Sequence, residues 1–118
     1  MRSLEEGLVS VDRFCRETGA ADEACFKLRL VCEELVVNLL KHGGADEFDL
    51  ALESVEGGTR VSLSYAGPRF DPSESNLGPL ESVEESEPGG LGLFLVKQLA
   101  RNLNYRYDEG VNFVEVVV

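Results

Sequence analysis

The feature that most constrains the fold is a change of apolar periodicity along the 118-residue chain. Up to residue 43 the apolar residues recur every three or four positions, which predicts amphipathic helices. From residue 48 to residue 65 they alternate with polar residues, which predicts strands with one buried face. A chain of this length forms one domain, so helices and strands must share a single core. The sequence therefore predicts helices packed on one face of a β-sheet.

Two helices are predicted before residue 43. Ser3 and Glu6 have the spacing of a capping box, and the first helix continues to Gly19. Asp22 is predicted to cap a second, longer helix. That helix ends at the glycines at 43 and 44, because glycine readily adopts the left-handed conformation found at helix ends.

Two strand pairs are predicted after residue 47, with turns at Gly57 and at Glu109-Gly110. Between the pairs lie a mobile acidic lid at about 73–88 and a third helix over 93–99. Because strands joined by tight turns are antiparallel, the fold class is α/β (α+β), a two-layer sandwich of a mainly antiparallel sheet with helices on one face. Residues 1–118 are predicted to form a single domain.

Charge and cysteine content narrow the functional class. The formal charge of −11 argues against direct binding to nucleic acid or to an anionic membrane. Cys15, Cys25 and Cys32 are an odd number without CxxC spacing, so we expect three buried free thiols and a reducing, cytoplasmic compartment. Neither a signal peptide nor a transmembrane helix is expected from the sequence.

The second predicted helix carries three polar residues on one face, Glu34, Asn38 and His42, among apolar neighbours. An asparagine oxygen can ligate Mg²⁺, and a carboxylate one turn away can orient or deprotonate a hydroxyl group. Taken alone, this spacing also fits the solvent-facing stripe of a half-buried helix.

Two glycine-rich segments form further candidate sites. Pro88 to Leu93 leads into the third predicted helix, where backbone N–H groups can bind phosphate. Tyr65 to Pro72 is a strand that ends in a turn. Taken alone, the segment from Pro88 to Leu93 could be a flexible connector. The segment from Tyr65 to Pro72 could be an ordinary turn that contains glycine and proline.

Taken in chain order, the segments at 34–42, 67–72 and 89–96 resemble the N box, the first glycine box and the second glycine box of the histidine-kinase-like ATPase (GHKL) superfamily. The likeness spans nearly the whole chain and is greatest to the small anti-sigma-factor serine kinases. It implies a Bergerat-type sandwich that binds ATP and Mg²⁺ beneath a lid. It also implies phosphorylation of a serine on an anti-anti-sigma (STAS-type) partner in a bacterial partner-switching pathway.

The resemblance also implies roles for individual residues. Glu34 would be the general base and Asn38 the Mg²⁺ ligand, with Lys41 and His42 beside the phosphates. The remaining members of the predicted cofactor site lie at the end of the first strand pair and in the second glycine box: Tyr65, Gly67, Gly89, Gly90, Gly92 and Leu93.

Tyr65 departs from the family pattern, which has an aspartate two residues before the first box's glycine that accepts a hydrogen bond from the adenine amino group. A phenol lacks the charge of a carboxylate, and alternation with Val61 and Leu63 places Tyr65 on the face that meets the helices. We therefore expect weakened ATP binding. The lid is a second departure, because six acidic and no basic residues lie between Phe70 and Val96.

The residues leave alternative functions open. The favoured one is an ATP-dependent serine kinase, and the second is a nucleotide-weak or nucleotide-free binding module of the same fold that acts by protein sequestration. A catalytic domain of a sensor histidine kinase is less favoured, because no dimerisation helix with a phosphoacceptor histidine precedes the domain. The expected partner is an anti-anti-sigma protein, with a sigma factor as a further candidate and a homodimer left open.

Overall fold

The structure, a computed structural model, describes residues 1–71, 96 and 98–118. Within these residues two helices precede two strand pairs. The elements are α1 (Leu4–Thr18), α2 (Asp22–Lys41), β1 (Asp49–Val55), β2 (Gly58–Ala66), β3 (Arg101–Asp108) and β4 (Val111–Val117). The predicted lid and most of the third helix lie outside the described residues, although Val96, Gln98 and Leu99 are helical.

The helix ends follow local sequence chemistry, with one exception. The Ser3 hydroxyl accepts a hydrogen bond from the Glu6 N–H at 3.2 Å, as the capping box predicts. Gly19 ends α1 in the left-handed conformation at φ 66°. The predicted role of Asp22 is wrong, because the cap of α2 is Ala21 and makes no side-chain hydrogen bond. Asp22 is the first helical residue, where its negative charge faces the positive end of the helix dipole.

The sheet is antiparallel throughout, with strand order β1-β2-β4-β3. The β1–β2 turn contains Gly57 at φ 84°, and the β3–β4 turn places Glu109 and Gly110 at φ 49° and 80°. Two consecutive positive φ values match the twist of a tight hairpin. The predicted fold class, antiparallel strands with helices on one side, is confirmed.

The core lies between the helices and one face of the sheet. Leu39 of α2 and Val61 of β2 are each 1% exposed, and Val116 of β4 is 0% exposed. Alternate residues of the two central strands point into this layer, so their register fixes which side chains meet α2. Tyr65 and Asn112 are partners in that register and lie at one end of the same layer.

The cysteines differ from the expectation of three buried free thiols. Cys15, near the end of α1, and Cys25, in α2, form a disulfide with their Cα atoms 6.1 Å apart. Both are only partly buried. Cys32 is the free thiol among the described residues, and its burial raises the pKa to about 12. The expectation failed because the antiparallel helices bring residues ten apart together, which helical periodicity within each segment does not reveal.

Candidate functional site

The site begins on α2, where Glu34 and Asn38 lie one helical turn apart. Asn38 is a buried polar residue, 3% exposed. Its carboxamide oxygen is of the chemical type that can ligate a hard cation such as Mg²⁺. Lys41 and His42, at the end of the helix, are exposed.

Glu34 is partly buried, and its environment changes its proton affinity. Burial raises the pKa of its carboxyl group above the usual glutamate range, and the adjacent negative charge of Glu33 adds to the effect. The positive charge of Lys41 opposes them. A carboxylate whose pKa is raised is a better proton acceptor, so this electrostatic setting suits a general base.

The end of α2 packs against the first glycine box. A Cβ atom at Gly43 would lie 2.8 Å from the Leu39 carbonyl oxygen and 3.2 Å from the Phe70 ring, so the close approach requires glycine. Gly67 has φ 146°, and a Cβ atom there would lie 4.0 Å from the Gly43 oxygen. The structure thus brings the N-box helix and the first glycine box together, although they are far apart in the sequence.

Two backbone groups of Gly67 are held by the β3–β4 hairpin. Its N–H donates to the Gly110 carbonyl oxygen at 3.0 Å, and its own carbonyl accepts from the Tyr107 hydroxyl at 3.0 Å. Because both partners belong to a tight hairpin, the start of the glycine box has a defined position relative to the sheet.

Tyr65 is 3% exposed and lies on the helix-facing side of β2, as alternation predicted. Its hydroxyl donates to the Phe70 carbonyl oxygen at 2.9 Å. Burial, together with the nearby Tyr105 and Asp71, raises the pKa of the Tyr65 phenol, which therefore stays protonated at neutral pH. The phenol donates its proton to the glycine-box loop itself.

Asn112 is a site residue that the sequence reasoning missed. It is fully buried and makes four hydrogen bonds, two through each end of its carboxamide. Its Nδ2 donates to the Tyr65 and Pro68 carbonyl oxygens at 3.4 and 3.0 Å. Its Oδ1 accepts the Phe70 N–H at 2.8 Å and the Tyr105 hydroxyl. A usable signal was present, because alternation with the apolar Val114 and Val116 places Asn112 on the buried face.

The remaining predicted site residues are not all described. Gly89, Gly90, Gly92 and Leu93 lie outside the described residues. Arg69 lies over the Tyr105 ring, with its guanidinium carbon 5.4 Å from the ring centroid. Among the described residues, no group of three or more His, Cys, Asp or Glu could hold a metal ion. No described helix is long and apolar enough to cross a membrane.

The structure combines an antiparallel sheet covered by helices with a polar face of α2 beside the first glycine box. Comparison with known proteins identifies the class of domain. The family model for the histidine kinase-like ATPase domain matches residues 2–118. The chain therefore belongs to this family, and the resemblance to the small anti-sigma-factor serine kinases of the GHKL superfamily is confirmed.

Two curated relatives and one solved structure are similar to this chain. Serine-protein kinase RsbW of Listeria monocytogenes is 32% identical over 117 residues, covering 92% of this chain and 74% of its own. Serine/threonine-protein kinase BtrW of Bordetella bronchiseptica is 32% identical over 92 residues, covering 74% of this chain and 65% of its own. A chain in the crystal structure of the SiaB–SiaC complex from Pseudomonas aeruginosa has a TM-score of 0.71 at 13% identity, covering 98% of this chain and 82% of that one, which supports the fold. The functional class predicted from the sequence, that of the small regulatory serine kinases, is confirmed at the level of the family.

Proposed function

We propose that this chain is a protein serine kinase of the partner-switching type, which uses ATP and Mg²⁺ to phosphorylate a serine of an anti-anti-sigma partner. The observation that carries the proposal is the pairing on α2 of a buried carboxamide at Asn38 with a half-buried carboxylate at Glu34, one helical turn apart. Relatives that are serine-protein kinases support a protein serine as the acceptor.

The phosphate end of the site fits the cofactor. An amide oxygen is a hard ligand of the kind that Mg²⁺ prefers, and Asn38 lies in the last turn of α2. Bound MgATP would supply the phosphoryl group and neutralise part of its charge. Lys41 and His42 are exposed at the end of α2, and we propose that they approach the phosphates.

Glu34 acts as the base in this proposal. It accepts the proton of the partner's serine hydroxyl while the serine oxygen forms its bond to phosphorus. Burial and then Glu33 raise the pKa of the Glu34 carboxyl group, which increases its affinity for that proton, and the positive charge of Lys41 opposes the shift. The second glycine box, Gly89 to Leu93, is proposed to contribute backbone N–H groups to the phosphates.

The test combines binding and phosphotransfer. With a STAS-type anti-anti-sigma domain from the same organism, wild-type protein and MgATP should yield phosphoserine. Glu34→Ala should lower the rate about 10²–10⁴-fold, the usual contribution of a general base, while MgATP binding measured by calorimetry persists. Asn38→Ala should lose the magnesium-dependent part of the binding.

Matched controls are Glu23→Ala, an exposed glutamate near the start of α2, and Asn104→Ala, an exposed amide on β3. Both should leave phosphotransfer within about threefold of wild type, since surface changes away from a site have small effects. The proposal fails if wild-type protein yields no phosphoserine, or if Glu34→Ala leaves the rate unchanged.

A second function is favoured by Tyr65. Its ring is buried between the helices and the sheet, and its hydroxyl already binds the Phe70 carbonyl. A module with weak nucleotide binding would regulate an anti-anti-sigma protein or a sigma factor by sequestration. Its signature is a pull-down in which partner binding needs no nucleotide and survives Glu34→Ala.

A further inference from the structure

Three side chains fasten the first glycine box from the side of the sheet: Tyr65 of β2, Asn112 of β4 and Tyr105 of β3. We call them the clamp. Asn112 lies between the other two, opposite Tyr65 in the register of β2 and β4. Together they hold the loop at the carbonyl of Pro68 and at both backbone groups of Phe70.

The hydrogen-bonding capacity of Asn112 is fully used. A carboxamide offers two N–H donors and two acceptor lone pairs. Both donors are directed to backbone carbonyls, of Tyr65 and Pro68, and both lone pairs are occupied, by the Phe70 N–H and the Tyr105 hydroxyl. Asn112 is 0% exposed, so no polar atom of this side chain is available to a ligand unless a bond within the clamp breaks.

The O–H donor of Tyr65 is also used in a hydrogen bond within the protein. Its single donor is directed to the Phe70 carbonyl at 2.9 Å, and the residue is 3% exposed. Its ring packs in the core layer with Leu63 and Val114 rather than facing solvent. The position that carries an acidic hydrogen-bond acceptor in the family's pattern therefore holds a buried group that donates to the protein itself.

Recognition of a base depends on polar groups that it can reach. A protein distinguishes adenine from guanine by placing donors and acceptors against the edge of the ring, where the two bases differ. Asn112 offers none in this arrangement, and Tyr65, which is 3% exposed, offers no donor and only the uncharged lone pairs of its phenol oxygen. Breaking the internal bonds of either residue would leave buried polar atoms unpaired. The clamped end of the site therefore does not fit a specifically bound adenine, whereas the Asn38 end fits a metal-bound phosphate chain.

We propose that the clamp closes the base end of the site, so that a nucleoside triphosphate is held through its phosphates and its base is not discriminated. The inference rests on the proposed nucleotide site at Glu34 and Asn38 and names its substrate class. The ligand chemistry is a magnesium-bound triphosphate, whether or not a purine is attached.

Calorimetric titration with MgATP, MgGTP and magnesium tripolyphosphate tests this directly on the full chain. The three dissociation constants should agree within about threefold in the wild type. In Tyr65→Asp, which removes the phenol and restores a charged acceptor, MgATP should bind at least about tenfold more tightly than MgGTP, the usual effect of one charge-assisted hydrogen bond. Wild-type binding of MgATP that is tenfold or more tighter than that of both other ligands overturns the inference.

A conservative variant keeps the test decisive if Tyr65→Asp does not fold. Tyr65→Phe retains the ring and removes only the hydroxyl, so it should bind all three ligands within about threefold of wild type. A selective loss of MgATP binding in Tyr65→Phe shows that the phenol reads the base, and it refutes the inference. Asn104→Ala, the exposed amide on β3, is the control and should leave all three dissociation constants within about threefold of wild type.

The outcomes separate this inference from the function on which it rests. If ATP is strongly preferred, the nucleotide site stands and the closed base end is wrong. If none of the three ligands binds to the wild type or to either Tyr65 variant, the nucleotide site itself is refuted, and the inference is refuted with it.

Discussion

At the scale of single residues, Glu34 shows how a functional group can be held at a cost to stability. Its carboxyl pKa is raised in the folded protein, mainly by burial and then by Glu33, so the fold disfavours the ionised form. The folded chain therefore binds a proton more readily than the unfolded chain just above the ordinary glutamate range. The contribution of this carboxyl group to the free energy of unfolding is fully present below the pKa that it has in the unfolded chain. That contribution is lost as the pH rises through the pKa that it has in the folded chain.

Glu34→Gln should therefore be more stable than the wild type at pH 7, with the advantage disappearing as the pH falls below the ordinary glutamate range, about 4. The amide keeps the shape of the side chain but carries no charge to desolvate. Thermal unfolding at a series of pH values measures the difference. Glu56→Gln, in the exposed β1–β2 turn, is the control for the same exchange at a surface position. A Glu34→Gln advantage that grows on acidification would contradict the raised pKa.

The site could be predicted from the sequence only in part, and the reason is the range of the interactions. Glu34 and Asn38 lie on one helix, so their spacing alone places them together. The burial of Tyr65 followed from strand alternation. The role of Asn112 depends on partners that lie 42 to 47 residues away, at Tyr65, Pro68 and Phe70. Periodicity identifies the face of a strand but not the strand that lies beside it.

At the scale of elements, the α1–α2 hairpin is closed covalently as well as by packing. The disulfide joins Cys15 to Cys25 across the turn around Gly19 and encloses a loop with a sequence separation of 10. Each helix was predicted correctly from its own periodicity, with an error of one residue at the cap of α2. The pairing between the helices was missed, because each cysteine matched the apolar pattern of its own segment.

Reduction of this disulfide should lower the free energy of unfolding by about 2–3 kcal/mol, the chain-entropy value for a loop of this size. For a domain of this length the melting temperature should fall by about 10 °C. The measurement is thermal unfolding with and without a thiol reductant. The double variant Cys15→Ser/Cys25→Ser is the control and should melt at one temperature in both conditions. A thiol titration that finds three free cysteines in unreduced, denatured protein would contradict the pairing.

At the scale of the whole molecule, net charge and ion pairs have opposite effects on the stability of the fold. The formal charge of −11 lies on a domain whose radius of gyration is 13.7 Å, so at low salt the like charges repel across the whole fold. The salt bridges among the described residues offer little compensation. Every side chain in them is at least 39% exposed, and exposed pairs contribute about 0–1 kcal/mol each.

Added salt should therefore stabilise this protein at neutral pH, because screening removes more repulsion than attraction. The melting temperature at pH 7 should rise by a few degrees between about 0.02 M and about 0.5 M NaCl, a range over which the Debye length falls well below the radius of the domain. Near pH 4.4, the pI of the sequence, the net charge approaches zero and the same increase in salt should have little effect. A melting temperature that falls with salt at pH 7 would mean that the exposed ion pairs, rather than net repulsion, dominate the electrostatics of the fold.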